Sequence, residues 1–333
     1  MSKKIKDTDY LFQSAYVRSL ENSLLSRERM ERMLEASTNE EAAKVLAECG
    51  YPEIQTVNVD TVNQMLTQAR DAIFAEITSL SRDTRMVDVF KIKYDYHNAK
   101  VMLKGEAMGE NTRRLLVDSG RIPGAELAEA VESADYDRLP QALAQAIRAA
   151  RELLGASKDP QQADFLLDQA YFREMDAIAR STGSEFLTGY VRLMVEAANL
   201  RSLVRVLRMG KDSTFLRNVL FEGGLVELWR FMNVGEDGTG MEELYLGTDL
   251  QAAAELGHKA VSGGSLTAFE KACDNALVAY LTLAQRVPFG EQPMIAYLAA
   301  RDNEFTAVRI ILTGRLAGLS AEQIRERLRE AYV

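Results

Sequence analysis

A short pattern recurs three times along the chain, and it limits the possible folds more than any other feature. Its first copy reads Asp95, Asn98, Lys100, the apolar pair Met102–Leu103 and Gly109. A shift of 101 places Glu196, Asn199, Arg201, Leu203–Val204 and Gly210 on the same frame, and a further shift of 108 places Glu304, Ala307, Arg309, Ile311–Leu312 and Gly318 there. No copy needs a gap. Two positions after each glycine stands Asn111, Asp212 or Ser320, and four later Leu115, Leu216 or Ile324. A glycine supplies the left-handed residue that ends a helix, and a short polar side chain opens the next by accepting from its first free N–H groups. The pattern therefore predicts one tight αα-hairpin used three times. In the third copy, Ser320 and Gln323 also have capping-box spacing.

Spacings of this size define a repeat of about 100 residues, large enough for a small helical bundle. The expected domains are 1–112, 113–212 and 213–333, and the expected fold is all-α with three similar helical bundles. Upstream of each hairpin a looser match puts Phe74, Met175 and Leu283 on the same offsets. Further helices are expected from Tyr10 to Glu35, Thr38 to Cys49, Asp137 to Leu154 and Glu270 to Ala284, with loops at Gly155–Pro160, Gly235–Gly240, Gly263–Ser265 and Val287–Pro293. No alternating run with hairpin-turn chemistry argues for a sheet.

Composition agrees. The 333 residues hold 47% hydrophobic side chains and only six prolines, and residues that lose little entropy in a helix dominate. A formal charge of −9 argues against general nucleic-acid binding, which needs a surplus of cations on one face. Lys3, Lys4 and Lys6 form a short basic run, read as a solvated end. Cys49 and Cys273 lack metal or redox spacing and fit a reducing compartment. No apolar run approaches the roughly 18–20 residues of a membrane span, and the first residues lack a signal-peptide core.

The search for chemistry returns no catalytic, cofactor-binding or metal residues. Gly263–Gly264 and Gly210–Lys211–Asp212 lack the ending a phosphate-cradling loop requires. His97 and His258 have no ligand spacing, Glu40–Glu41 and Glu242–Glu243 read as solvated or helix-start charges, and Trp229 reads as core. Asp95, Glu196 and Glu304 are the carboxylates that recur. A catalytic acid is unique to its site, so an acid copied three times reads as structural, bonded to a helix end or a cation. These three, with Asn98, Lys100, Gly109, Asn199, Arg201, Gly210, Arg309 and Gly318, are the candidate anchors of the repeat.

The run from Pro288 through Glu304–Phe305 and on to Gly318–Leu319–Ser320, with the final Tyr332–Val333, resembles the C-terminal signature of the C subunits, also termed d-type, of V-type and A-type rotary ATPases and ATP synthases. Ala198–Arg205, Tyr94–Lys100 and Tyr16–Glu21 are similar to other parts of that family, and the resemblance covers nearly the whole chain. It implies three helical domains in a pseudo-threefold funnel. It further implies a non-catalytic connector on the cytoplasmic side of the membrane, partnered by the central-stalk subunits and the membrane rotor ring, without cofactor, nucleic acid or small-molecule substrate. Ala307 departs from the amide of the first two copies, which puts the third copy's polar contact in question. From the spacing alone, a helical-repeat scaffold for an unrelated complex and an all-α enzyme with an unrecognised site both stay open.

Overall fold

In the computed structural model, which describes residues 5–333, every regular element among the described residues is helical. The helices are α1 (Leu11–Glu21), α2 (Arg27–Glu35), α3 (Asn39–Ala47), α4 (Val59–Leu80), α5 (Arg85–Met108), α6 (Gly124–Ser133), α7 (Gln141–Ser157) and α8 (Pro160–Thr182). They continue with α9 (Glu185–Arg208), α10 (Ser213–Asn218), α11 (Leu228–Phe231), α12 (Met241–Leu244), α13 (Gln251–Val261), α14 (Leu266–Thr282), α15 (Gln292–Leu316) and α16 (Ala321–Arg325). Lys3 and Lys4 lie outside the described residues, and Lys6 is exposed.

Helices α5, α9 and α15 carry the three copies of the pattern, and each is too apolar around its circumference to face one neighbour alone. Their N-terminal halves meet in a common core that includes Phe90, Ile92, Val191, Val195, Ile295 and Leu298. Their C-terminal halves diverge, each into a core of its own. That of α5 is closed by residues of α6, α7 and α8, and that of α9 by residues of α10 to α14. The core around α15 is closed by α2, α3 and α4, so Met33, Leu46 and Leu66 pack with Phe305, Val308 and Ile311. Apolar packing thus gathers three bundles, the third of which takes its helices from both ends of the chain.

Each long helix stops at its expected glycine. Gly109, Gly210 and Gly318 have φ of 68°, 59° and 73°, a conformation that costs any side chain with a Cβ. The next element is capped as expected in the second and third copies: Asp212 Oδ1 accepts from Phe215 N, and Ser320 and Gln323 form a reciprocal capping box. The first copy departs: Asn111 Oδ1 accepts from Arg113 N within a turn, the N-cap position is Thr112 with no side-chain cap, and the second helix is only a 3-10 turn, Arg113–Leu115, which leaves Leu115 exposed where Leu216 and Ile324 are buried.

Four other expectations are corrected. The segment Tyr10–Glu35 is not one helix but breaks at Asn22–Ser26, where Ser26 caps α2. The segment 155–160 is mostly helical, since α7 runs to Ser157 and α8 starts at Pro160. Leu283 is half exposed, and Leu281 takes the buried place beside Phe74 and Met175. Trp229 is 61% exposed, its indole N–H spent on Glu227 two residues away.

Replacing Gly109, Gly210 or Gly318 by alanine should cost about 1 kcal/mol each. A Cβ at these sites meets nothing within 4 Å, so the penalty is conformational and should be similar at all three. Urea unfolding of the single variants checks this.

Candidate functional site

The three recurring carboxylates are buried, and each is closed on the main chain of a segment that leads into a short helix. Past the first turn of a helix a backbone N–H is already given to the carbonyl four residues back, so free amides come from helix starts and from non-helical stretches. Asp95 Oδ1 accepts from Arg121 N at 2.9 Å and Ile122 N at 3.3 Å, just before α6. Glu196 Oε2 accepts from Leu225 N and from Val226 N, the latter at 2.9 Å, just before α11. Glu304 Oε2 accepts from Leu25 N at 2.6 Å, just before α2. Ile122, Val226 and Leu25 each stand two residues ahead of the first residue of their helix. The break after α1 now has its reason: it frees the Leu25 amide for Glu304.

The remaining acceptor capacity is filled differently in each bundle. Arg121 Nε lies 2.6 Å from Asp95 Oδ2, and its other arm reaches Glu174, which also takes the Tyr96 hydroxyl. Glu304 Oε1 takes the Tyr51 hydroxyl and Arg301 Nη1, both at 2.6 Å, and the Arg301 guanidinium lies over the Tyr51 ring. Glu196 Oε1 has only the Tyr245 hydroxyl, at 2.8 Å. Burial pushes all three carboxyls above their ordinary range, against the pull of these donors.

One turn further along the helix, the amides of the first two copies grip the same segments. Asn98 gives Nδ2 to Val117 O at 2.7 Å and takes Val117 N at 2.9 Å. Asn199 holds Phe221 by both groups at 2.8 Å. Ala307 has no such grip, as its side chain dictates. On the opposite face, Lys100 pairs with Asp168 of α8 at 2.6 Å and Arg201 with Asp274 of α14. Arg309 is exposed and forms no ion pair among the described residues. The matching segment of α4 carries Asn63 and Thr67 where α8 has Asp164 and Asp168.

The arrangement closes loops onto helices, and the acceptor oxygens of Asp95, Glu196 and Glu304 are taken by the donors named above. Among the described residues no group of three or more His, Cys, Asp or Glu side chains is placed to hold a metal ion. His97 is exposed and His258 pairs with Glu242. Cys49 and Cys273 are free and buried, their thiols raised to about 11 and about 12 by burial, so both are poor nucleophiles. No helix is long and apolar enough to cross a membrane among the described residues.

The model of the ATP synthase (C/AC39) subunit family matches residues 13–327. The chain belongs to this family. Among curated proteins it is similar to the C subunit of the V-type sodium ATPase of Enterococcus hirae, 23% identical over 95% of this chain and 97% of that one. The C subunit of the A-type ATP synthase of Methanocaldococcus jannaschii is 24% identical over 96% of this chain and 86% of that one. The C subunit of the V-type ATP synthase of Thermus thermophilus is 23% identical over 96% and 98%. As a member of the family the chain is an accessory, non-catalytic part of a V/A-type ATPase complex.

Two glycines in this family member escaped the reading of the sequence. A Cβ on Gly120 would lie 2.2 Å from Asp95 Oδ1, and one on Gly224 would lie 2.3 Å from Glu196 Oε2. Each stands directly before its amide donors and makes room for the carboxylate. The pair is 104 apart, not 101, because the connecting segment is three residues longer in the second copy. Aligning Gly120-Arg121-Ile122 with Gly224-Leu225-Val226 would have found it. The caps Tyr51 and Tyr245 lie far from any repeated frame.

Glu196→Ala should cost about 3–5 kcal/mol, because two amides and a hydroxyl lose their buried acceptor. Glu196→Gln keeps an oxygen for the amides and should cost under about 2 kcal/mol at neutral pH. The pH dependence has a definite sign. A folded value raised above the unfolded one means that wild type gains stability as pH falls through the folded value towards the ordinary 4.5, and the glutamine variant does not. The advantage of wild type over Glu196→Gln should therefore grow from pH 7 to pH 5 in paired urea titrations. Gly224→Ala should cost about 1–3 kcal/mol by displacing the carboxylate.

Proposed function

We propose that this chain is the rotor connector of a V/A-type ATPase, seated peripherally on the cytoplasmic side of the membrane between the central-stalk subunits and the membrane rotor ring. It transmits torque so that ATP turnover and proton or sodium transport are coupled. The observation that carries this reading is the family match over residues 13–327, together with relatives of nearly the same length named as the C subunits of a sodium ATPase and of ATP synthases. The three bundles are the working units of a funnel-like body whose wide end receives the shaft. Asp95, Glu196 and Glu304 with their repeat partners keep each bundle stiff, as a torque-bearing part requires.

The physical support is the way the bundles are tied. Interiors packed at crystal-like density transmit force, whereas flexible linkers dissipate it. Here the links between α4 and α5 and between α8 and α9 are four and two residues long, Ser81–Thr84 and Gly183–Ser184. The common core and the Lys93–Asp302 pair, at 2.6 Å to both carboxylate oxygens, tie α5 to α15.

Reconstituting the ATPase in vesicles with and without this chain tests the proposal. Without it, ATP hydrolysis by the soluble head should persist while ATP-driven ion transport is lost. Undiminished transport in its absence would overturn the coupling role.

A further inference from the structure

The third bundle is interrupted where the other two are continuous. In the first, the chain runs from the turn at Arg113–Leu115 through Val117 to the amides at Arg121 and Ile122; in the second, from α10 through Phe221 to Leu225 and Val226. In the third, the chain leaving α16 continues as Arg327–Val333, and the donor amide is supplied instead by Leu25, which precedes α2. The shift of 108 sets Arg329 on the frame of Phe221 and Leu328 on that of Leu220, and both leucines are buried. By the second copy's spacing of 22, Arg329 is the residue an asparagine at 307 would hold, and by the first copy's spacing of 19 it is Glu326; residue 307 is alanine.

Leu328 packs into the core around α15, but the polar contacts that hold this segment come from elsewhere. Arg329 Nε reaches Asp274 at 2.6 Å and Glu330 N gives to Asn275 Oδ1 at 3.0 Å, both on α14 of the second bundle. Gln285, in the 3-10 turn that follows α14, gives to Tyr332 O at 2.7 Å, and the Tyr332 hydroxyl reaches Glu21 of α1 at 3.3 Å. None of these partners is on α15. Beneath the segment lies a cavity of about 30 Å³ bordered by Ala307, Glu304, Leu25 and Val278, where the first two bundles have an amide clamp. Asp274 also pairs with Arg201, so it keeps a cation when Arg329 leaves.

We propose that Arg327–Val333 is a releasable latch across the seam between α14 and α15, whose opening uncovers Leu24, Leu25 and Val278. Two bundles clamp this segment with an amide of their own long helix, and the third keeps the apolar contact of Leu328 and leaves the polar contacts to its neighbour.

Hydrogen exchange of the full chain, followed by mass spectrometry, tests this in wild type, in Ala307→Asn and in the double variant Arg329→Ala/Asn275→Ala. In wild type, residues 327–333 should exchange at least about tenfold faster than 117–122 and 221–226. The double variant should speed 327–333 by about a further tenfold and raise exchange in 20–34 and 274–285, with 117–131 and 221–231 unchanged. Ala307→Asn should slow 327–333 towards the other two segments. Exchange in wild type as slow as in the clamped segments would overturn the latch, and so would a double variant that loosens all three bundles alike or none. Should the asparagine variant not fold, the double variant decides the matter alone.

Discussion

A carboxylate with no access to water survives in a helical interior only if donors meet it there, and the donors used here are main-chain N–H groups. Leaving even one of them unpaired costs about 1–3 kcal/mol, so acid and amide each hold the other in place. The rest of the molecule follows from that exchange. The amides come from stretches outside any helix, and a short helix begins two residues later in each case, as α6, α11 and α2 show. A glycine ahead of the amides opens the space in two cases, and the segment so fixed lays down the floor on which the later helices of each bundle pack.

The copies share their long helix and its glycine end and are unlike in chemistry where bundles touch. At the seam between α4 and α5 the Ser119 hydroxyl gives to Asp71, whereas 101 residues on from Asp71 the ring of Phe172 lies 4.3 Å from that of Phe221. The third seam uses the Arg329–Asp274 pair. On the inner faces of the long helices, Lys93, Met194 and Asp302 share one frame, and the first and last form an ion pair. A hydroxyl–acid contact, an aromatic contact and an ion pair cannot replace one another without stranding a charge, so each bundle fits in one place only.

The long helices, their glycine ends, their caps and the buried state of Asp95, Glu196 and Glu304 were legible because they depend on residues close together on one frame. The donors were not. Those of Asp95 and Glu196 drift by three residues between copies, and Leu25 lies 279 positions from Glu304, beyond any local pattern. Trp229 misled because a large aromatic reads as core, while the indole N–H here is met by a neighbouring surface acid. Ala307 looked like a weakened copy. It stands instead at the point where the segment that an amide would grip is interrupted.

A bundle built from both ends of a chain also sets an order of events at the ribosome. Helices α2, α3 and α4 leave the exit tunnel long before α15, yet their apolar faces, with Met33, Leu46, Met65 and Leu66 at their centre, are covered by Phe305, Val308, Ile311 and Leu312 of α15. At about 5–20 residues per second the wait between Leu25 and Glu304 lasts roughly 15–60 s. During that time the first and second bundles can close around α5 and α9, while the earliest helices stay half-finished and sticky. Helices α2 to α4, synthesised well ahead of α15, are therefore among the last parts to finish folding, and it is they that call most for a chaperone.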